Sequence, residues 1–242
     1  MSPHSRFIFI GDIHGCIDEL VELLALVRPT AQDVVVGLGD FVDRGPRPDL
    51  CIELFAERGY RGVLGNHDER LLRWSAGDKV THAEAFERTV DLVGREPYLD
   101  WLRALPLTLE CPEVGLVAVH AALDLNWPNM RVPESEQQRD VLLRGRSVKR
   151  QGESWVYCPL DQTPADGSLW ADLWDAEPTV IYAHTPTAGQ PRLRKSAVGI
   201  DTGVAYGRRL TAAIVEGRGP LRFVSVSARR TYFSPPKKIT VI

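Results

Sequence analysis

Three short apolar runs within the first 80 residues each end in a polar loop that contains glycine, and a helical pattern follows each loop. The runs cover residues 7–10, 34–38 and 62–64, and the first two helical patterns cover about residues 17–27 and 49–58. Short apolar runs bounded by glycine and proline are typical of buried strands. Strands that alternate with helices pair in parallel through right-handed crossovers. The sequence therefore predicts a buried parallel sheet at the start of the chain.

Polar side chains stand where each of these strands ends. The three loops read Gly-Asp-Ile-His-Gly at 11–15, Gly-Asp-Phe-Val-Asp-Arg-Gly at 39–45 and Gly-Asn-His-Asp at 65–68. In open α/β sheets, ligands bind at the carboxyl ends of the strands. Carboxylates at such a position need a partner or a metal, because an unpaired buried charge is very costly. We therefore expect the three loops to form one shared site.

The middle of the chain separates into a helical segment and an irregular one. Apolar side chains at helical spacing predict mostly helix over about residues 69–105. Residues 123–177 are rich in Pro, Arg, Asp and Trp, and they predict loops and a small irregular cap over the site. We expect a single domain over residues 1–242, with this cap as an insert at about 123–177.

Apolar runs on both sides of that segment predict further strands. The runs at 115–119 and 179–182 end close to His120 and His184. Three more short runs are separated by turns and predict a meander that forms a second sheet; they lie at 197–203, 210–215 and 221–226. The predicted fold class is α/β, a sandwich of two mixed β-sheets flanked by helices.

The residues at the strand ends have the chemistry of a two-metal centre. Asp12 and His14 are two positions apart, so they point the same way in an extended segment. Carboxylate and imidazole together suit Mn, Fe or Zn better than Mg or Ca, which prefer all-oxygen ligands. Two metals about 3.5–4 Å apart need one shared ligand, and Asp40 is the predicted bridge. Asp12 and His14 would complete one metal, and the other would be completed by Asn66, His120 and His184.

The second loop also carries groups that suit phosphate chemistry. Asp43 is expected to orient an acid/base histidine, and Arg44 is expected to hold a phosphate, because a guanidinium binds phosphate through two parallel hydrogen bonds. Phosphoryl transfer needs neutralised phosphoryl oxygens and a protonated leaving group. The loop therefore predicts phosphate chemistry beside the metals.

Six sequence blocks together resemble the calcineurin-like metallophosphoesterases. Besides the three loops above, Val-His-Ala at 119–121, His-Thr-Pro at 184–186 and Ile-Asp-Thr-Gly at 200–203 match later blocks of the family in the right order. The chain is most similar to the phosphoprotein-phosphatase-type branch. That branch includes bacterial serine/threonine phosphatases, symmetrical diadenosine tetraphosphatases and the phosphatase domain of the bacterial RNA-repair kinase-phosphatase.

This resemblance implies a complete set of roles. His67 matches the general acid that protonates the leaving oxygen, Asp43 holds it, and Arg44 matches a phosphate clamp. The implied reaction is phosphoester or phosphoanhydride hydrolysis by attack of a metal-bridging hydroxide. Two divalent or transition metal ions are expected, with Mn²⁺ first and Fe or Zn as alternatives. The implied metal ligands are Asp12, His14, Asp40, Asn66, His120 and His184.

Two departures from the protein-phosphatase pattern bear on the substrate. Leu64 stands where those enzymes carry a phosphate-binding arginine, and the Asp68 form is typical of the tetraphosphatases and the RNA-repair domain. A second clamp is expected from the cap, with Arg146 first and Arg144 second; Asn66 is also expected near the phosphate. The predicted substrate is therefore a nucleotide-type molecule like diadenosine tetraphosphate, or a small phosphoester.

Two alternatives remain open at this point. The same chemistry suits a serine/threonine protein phosphatase, with a phosphoprotein as the partner. A metal-binding scaffold without catalysis is the other alternative, although the full ligand set and the Asp43–His67 pair argue against it. Four tryptophans of the cap could stack on a nucleobase or form the core of the cap; they are Trp127, Trp155, Trp170 and Trp174.

The composition sets limits on location and partners. The 242 residues carry a net charge of −3, so no global basic field indicates a nucleic-acid or membrane partner. No apolar run approaches the length of a membrane span, and the start of the sequence lacks the apolar segment of a signal peptide. The four cysteines form no CxxC pair, which favours reduced thiols. We expect a soluble, cytoplasmic protein.

Overall fold

The computed structural model describes residues 6–80, 84–158 and 167–234. The strands are β1 (Arg6–Ile10), β2 (Val34–Gly37), β3 (Arg61–Gly62), β4 (Thr108–Cys111), β5 (Leu116–Val119), β6 (Ser147–Gln151), β7 (Ser154–Cys158), β8 (Ser168–Leu169), β9 (Thr179–Tyr182), β10 (Arg192–Leu193), β11 (Ala197–Gly199), β12 (Arg209–Glu216) and β13 (Arg222–Ser227). The helices are α1 (Ile17–Val27), α2 (Pro48–Glu57), α3 (Asn66–Ser75), α4 (Glu84–Val93), α5 (Tyr98–Arg103), α6 (Glu136–Arg144) and α7 (Trp170–Leu173), and a 3-10 helix covers Val204–Tyr206.

Two five-stranded sheets form the centre of the molecule. The first sheet has the order β13-β12-β1-β2-β3, and the second has the order β10-β11-β9-β5-β4. In the first sheet β1, β2 and β3 run parallel, as the strand–helix alternation predicts, while β12 lies antiparallel to β1. In the second sheet β5, β9 and β11 run parallel, with antiparallel strands at both edges. The predicted α/β sandwich of two mixed sheets is confirmed.

Alternate residues of β1 separate the core into layers. Phe7 and Phe9 pack with side chains of both sheets, so they lie between the sheets. Ile8 and Ile10 pack with α1 and α2 on the outer face of the first sheet. This alternation follows from the two-residue period of a strand. Because both faces are covered, the strand is apolar at every position from Phe7 onwards, as buried parallel strands are.

The helical prediction for residues 69–105 is confirmed in the described part of that segment. Helices α3, α4 and α5 lie there, and residues 81–83 are outside the described residues. Their apolar side chains join the layer on the outer face of the first sheet. Among the described residues, no helix combines the length and the apolar character that crossing a membrane requires.

The predicted meander is wrong in its sheet assignment. Strand β11 belongs to the second sheet, but β12 and β13 extend the first sheet beyond β1. All residues from Leu210 to Val215 are buried, so the strand is covered on both faces. An apolar run of this kind fits either sheet equally well. The pairing with β1 joins residues about 200 positions apart, and no local pattern specifies it.

The segment at about 123–177 is more regular than the irregular structure that the sequence predicts. Strands β6, β7 and β8 form a third, antiparallel sheet, and α6 and α7 flank it; residues 159–166 lie outside the described part. Trp170 and Trp174 are buried and pack edge-on against each other, and Trp170 also packs on Tyr182 of β9. These two tryptophans are therefore core residues, and a base-stacking role for them is excluded. Trp155 stacks with Arg150, and Trp127 is exposed.

We expect Phe55→Ala to destabilise the protein strongly. Phe55 is fully buried and packs edge-on against Phe41, Tyr60 and Trp101. Its removal leaves a cavity, so urea unfolding should show a loss of about 3–5 kcal/mol. Leu26→Ala in α1 is the control, because Leu26 is 58% exposed, and it should change the free energy of unfolding by no more than about 0.5 kcal/mol. Equal effects of the two variants would contradict this packing.

Candidate active site

The six predicted metal ligands converge at the carboxyl ends of strands from both sheets. His14 Nε2 lies 3.8 Å from Asp12 Oδ2 and 3.6 Å from Asp40 Oδ2. On the other side, His120 Nε2 lies 3.5 Å from Asp40 Oδ1, 3.0 Å from Asn66 Oδ1 and 3.1 Å from His184 Nδ1. Two groups able to hold a metal ion share Asp40; they are His14, Asp40 and His67, and Asp40, His120 and His184.

The histidines present unprotonated nitrogens to the centre of the site. Nδ1 of His14 lies 2.9 Å from the Val42 carbonyl oxygen, and Nδ1 of His120 lies 2.7 Å from that of Leu38. Each Nδ1 therefore donates its proton outwards, so Nε2 faces the carboxylates as an acceptor. Burial lowers the pKa of His14, His120 and also His184, which keeps the three imidazoles neutral.

The carboxylates at the centre differ in their electrostatics. Burial alone would raise the pKa of Asp40, but positive charge around it, on His120 and the other histidines when they are protonated and on Arg44, lowers that pKa below its usual range. Burial and the nearby carboxylates of Asp201 and Asp40 raise the pKa of Asp12 instead. The site thus concentrates acidic groups away from water, and a cation would relieve their mutual repulsion.

The set of ligand atoms fits metal ions because it brings several acceptor atoms together. His120 Nε2, which is an acceptor, lies 3.0 Å from Asn66 Oδ1 and 3.5 Å from Asp40 Oδ1, which are acceptors too. No proton stands between a neutral imidazole nitrogen and an ionised carboxylate oxygen in this arrangement. Imidazole and carboxylate together are ligands of Mn, Fe and Zn. The residues present therefore suit divalent transition metals.

The loops that carry these residues have unusual backbone conformations. Six non-glycine residues of the described chain have positive φ, and five of them lie in the site: His14, Asp40, Asp43, Arg44 and His184. Each such residue costs of order 1–3 kcal/mol, and strain of this kind persists only where the surroundings fix it. Close approach adds a further constraint, since a Cβ on Gly65 would lie 2.2 Å from the Asp40 nitrogen.

Asp68 explains how the strained second loop is held. The backbone N–H groups of Phe41 and Val42 donate to Asp68 Oδ1 at 2.9 and 3.2 Å, and that of Gly65 donates to Oδ2 at 3.0 Å. Asp68 is completely buried, so these three donors have no access to water. One carboxylate thus joins the loop after β2 to the start of α3. The sequence indicated Asp68 only as a marker of substrate class.

His67 contacts Asp43 as the sequence predicts, and Asp43 has two further partners that the sequence analysis missed. Its Nδ1 donates to Asp43 Oδ2 at 2.5 Å. The same carboxylate accepts from Arg70 and, through Oδ1, from the Thr89 hydroxyl at 2.9 Å. Although burial opposes it, the hydrogen bond from His67 and the charge of Arg70 hold the pKa of Asp43 below its usual value. Arg70 stands one helical turn after His67, a spacing that could have revealed it.

The three candidate phosphate-binding arginines differ in the hydrogen bonds and ion pairs that they already form. Arg44 Nη2 lies 2.9 Å from His67 Nε2, and its Nη1 contacts His14 Nε2. Arg146 is half-buried and donates to the His184 carbonyl oxygen at 2.6 Å, and its buried Nε has no hydrogen-bond partner. Arg144 forms ion pairs with Glu69 at 2.5 Å and with Asp140 at 2.7 Å.

All three arginines line one cavity of about 570 Å³ next to the metal-ligand set. Asn66, His67 and His184 form its inner end, and residues of α6 and β7 form its outer wall, among them Gln137 and Tyr157. The cavity thus connects the histidine–carboxylate cluster to α6 and β7. Its volume is in the range of small-molecule sites.

The family is established by the sequence match. The family model described as calcineurin-like phosphoesterase matches residues 5–207, which is most of the chain. Together with the two-sheet sandwich and the convergence of all six strand-end residues, this match means that the protein belongs to the calcineurin-like phosphoesterases. The resemblance seen in the sequence blocks is confirmed.

Similar proteins are named tetraphosphatases. A symmetrical bis(5'-nucleosyl)-tetraphosphatase of Aeromonas salmonicida is 34% identical over 141 residues, which cover 57% of this chain and 52% of that relative. The chain thus aligns with about half the length of that protein. An asymmetrical bis(5'-nucleosyl)-tetraphosphatase, PrpE, of Oceanobacillus iheyensis is 24% identical over 249 residues and covers 93% of both chains. A crystal structure named as a proposed diadenosine tetraphosphatase superposes with a TM-score of 0.76 at 27% identity, over 93% of this chain and 94% of its own.

We expect Asp68→Asn to destabilise the protein although it preserves shape. The asparagine would place an NH₂ group against one of three backbone N–H donors, so a buried donor would lose its acceptor. The expected cost is about 1–3 kcal/mol in urea unfolding. Asp78→Asn is the matched control, because Asp78 pairs with Arg73 at the surface and should change stability by less than about 1 kcal/mol. An unchanged midpoint for Asp68→Asn would show that this carboxylate does not hold the loop.

Proposed function

We propose that this protein is a metal-dependent hydrolase that cleaves phosphoanhydride bonds of dinucleoside polyphosphates. The observation that carries the proposal is the cavity, which brings the acid candidate His67 and the guanidinium groups of Arg44 and Arg146 beside the metal-ligand cluster. A chain of phosphates needs several cationic contacts in a row. The same cavity continues to the cap, which leaves room for a nucleoside.

The relatives support this substrate class over a phosphoprotein. Relatives and a structural neighbour that align along almost the whole chain are named for tetraphosphatase activity. Leu64, where an arginine would add a second clamp, is buried and carries no charge. Phosphate binding therefore depends on Arg44 and on the cap, with Arg146 the better candidate because Arg144 already pairs with two carboxylates.

We infer that Asp40 would be a ligand of both metals and that the remaining strand-end residues would complete the two sites. Asp12 and His14 would hold one metal, and Asn66, His120 and His184 would hold the other. When bound, two divalent metals supply Lewis acidity and a nucleophile at neutral pH. The mixed imidazole and carboxylate donors favour manganese, with iron and zinc as alternatives.

The residues outside the ligand set would handle the proton and the phosphate charge. His67 is the proposed acid that gives a proton to the oxygen of the departing phosphate as its bond to phosphorus breaks. Asp43 fixes the orientation of the His67 ring, and Arg70 and Thr89 fix that carboxylate. Arg44, with its Nη2 2.9 Å from His67, is placed to bind the phosphoryl oxygens beside the acid.

We also propose that residues at about 123–177 act as a cap on a single catalytic domain. Helix α6 and strand β7 supply the outer wall of the cavity, so they would contact the part of the substrate beyond the reacting phosphate. The cap has its own apolar core around Trp170 but shares Tyr182 with the second sheet. This continuity favours a cap that is fixed on the domain.

A substrate panel with the manganese-loaded protein tests the function. We expect diadenosine tetraphosphate to be hydrolysed and phosphoserine peptides to be left intact, as measured by anion-exchange chromatography of the products. ADP alone would indicate symmetrical cleavage, and ATP with AMP would indicate asymmetrical cleavage. A chelator should lower the rate by roughly 10²-fold or more. Turnover of phosphopeptides alone, or no metal-dependent turnover, would refute the proposal.

His67→Ala tests the acid. The variant should lose about 10²–10⁴-fold in kcat on phenyl phosphate, whose leaving group needs a proton, and much less on p-nitrophenyl phosphate. Metal content by elemental analysis is expected to stay at the wild-type level. Equal losses on both substrates would show that His67 does not protonate the leaving group.

A further inference from the structure

The segment 228–233, which we call the C-terminal strap, packs against the active site from outside the matched family region. The family match ends at residue 207. Beyond β13, the Ala228 N–H donates to the Arg208 carbonyl oxygen at 2.8 Å. The N–H groups of Tyr232 and Phe233 both donate to the Ala205 carbonyl oxygen, at 3.0 and 2.9 Å. The strap thus docks on the 3-10 helix that follows the Asp-Thr-Gly block.

A buried carboxylate fixes the strap at its other side. Glu19, in the first turn of α1, has no exposed surface. Its Oε1 accepts from the Arg229 N–H at 2.8 Å and from the Tyr232 hydroxyl at 2.7 Å. A buried carboxylate needs such donors to offset its lost hydration. The strap supplies these donors, so two hydrogen bonds to a buried carboxylate fix its position relative to α1.

The docked strap places an aromatic ring on the guanidinium of Arg44. The Cζ atom of Arg44 lies 5.1 Å from the centre of the Tyr206 ring and 5.5 Å from that of Phe233. The two rings are 6.2 Å apart and inclined at 66°. Both distances are within the range of cation–π attraction. Among the described residues, no carboxylate lies within ion-pair distance of Arg44.

We propose that Phe233, delivered by the C-terminal strap, and Tyr206 are positioning residues that hold Arg44 in its phosphate-binding orientation. The inference rests on the proposed function in one respect, the role of Arg44 as a phosphate ligand. Arginine side chains lose considerable rotamer freedom when they bind a ligand. The two rings restrict Arg44 in advance and leave its Nη2 directed towards His67, so less entropy is lost when phosphate binds.

Phosphate binding in a mutant cycle tests this inference. Calorimetry with inorganic phosphate on the manganese-loaded protein should show that Phe233→Leu raises the Kd about fivefold, and KM for p-nitrophenyl phosphate should rise by the same factor. Phe233→Tyr should restore the wild-type Kd. In an Arg44→Ala background, Phe233→Leu should leave the Kd unchanged, because the group that it positions is gone. A purely structural role of Phe233 would persist in that background.

Two further variants make the result decisive. Tyr206→Leu, which removes the other ring, should raise the phosphate Kd by a similar factor and keep the wild-type melting temperature within a few degrees. Tyr98→Leu is the matched control, because Tyr98 stacks with Arg95 in a different part of the molecule and should not change the Kd. An unchanged Kd for Phe233→Leu, or an equal loss in the Arg44→Ala background, would overturn the inference.

The readout separates this inference from the substrate proposal. Phosphate binding does not depend on which nucleotide the protein hydrolyses. If diadenosine tetraphosphate is not hydrolysed but the mutant cycle holds, the substrate proposal fails and the positioning role of the strap stands. If the nucleotide is hydrolysed and the cycle is additive, the positioning role fails alone.

Discussion

The buried carboxylate of Asp40 imposes the requirement that the rest of the structure meets. An ionised carboxylate without hydration needs positive charge or hydrogen-bond donors around it. The His67 N–H donates to one of its oxygens at 2.9 Å, and imidazoles from both sheets approach within 4 Å. Those imidazoles are neutral, so donors alone leave the acidic cluster undercompensated. Bound cations would balance the buried acidic groups. The fold that brings these groups together therefore also creates the metal site.

Rigid sheets hold this concentration of polar groups in place despite the strain in the loops that carry them. Five non-glycine residues of the site have positive φ, and such conformations survive only when neighbouring structure determines them. The parallel strands fix the starting point of each loop, and Asp68 ties the loop after β2 to α3 through three backbone donors. Local strain is therefore offset by buried hydrogen bonds within the same pair of loops.

The first turns of α3 combine roles that would otherwise need separate elements. Asn66 faces the His120 side of the cluster, His67 faces Asp43, and Asp68 points back to the loop backbone. Successive residues of a helix point in directions about 100° apart, so one turn can serve three neighbours. One turn later, Arg70 returns to the same side as His67 and completes the environment of Asp43. His67 and Arg70, which both contact Asp43, are thus fixed on a single helix.

The sequence by itself determined the strand–helix order, the parallel start of the first sheet, the family, and which strand-end residues meet in the site. The strand order and the shared site follow from local periodicity and from the rule that parallel strands share one polar edge, and the family follows from the six sequence blocks. Only the tertiary structure decided that β12 pairs with β1, that Trp170 and Trp174 form core, and that Arg70, Thr89 and Phe233 reach the site. Each of these outcomes depends on contacts between distant segments, and an apolar or charged side chain does not specify its distant partner. A local pattern indicates which residues need burial or a counter-charge. The tertiary packing determines which distant residues bury them or supply that charge.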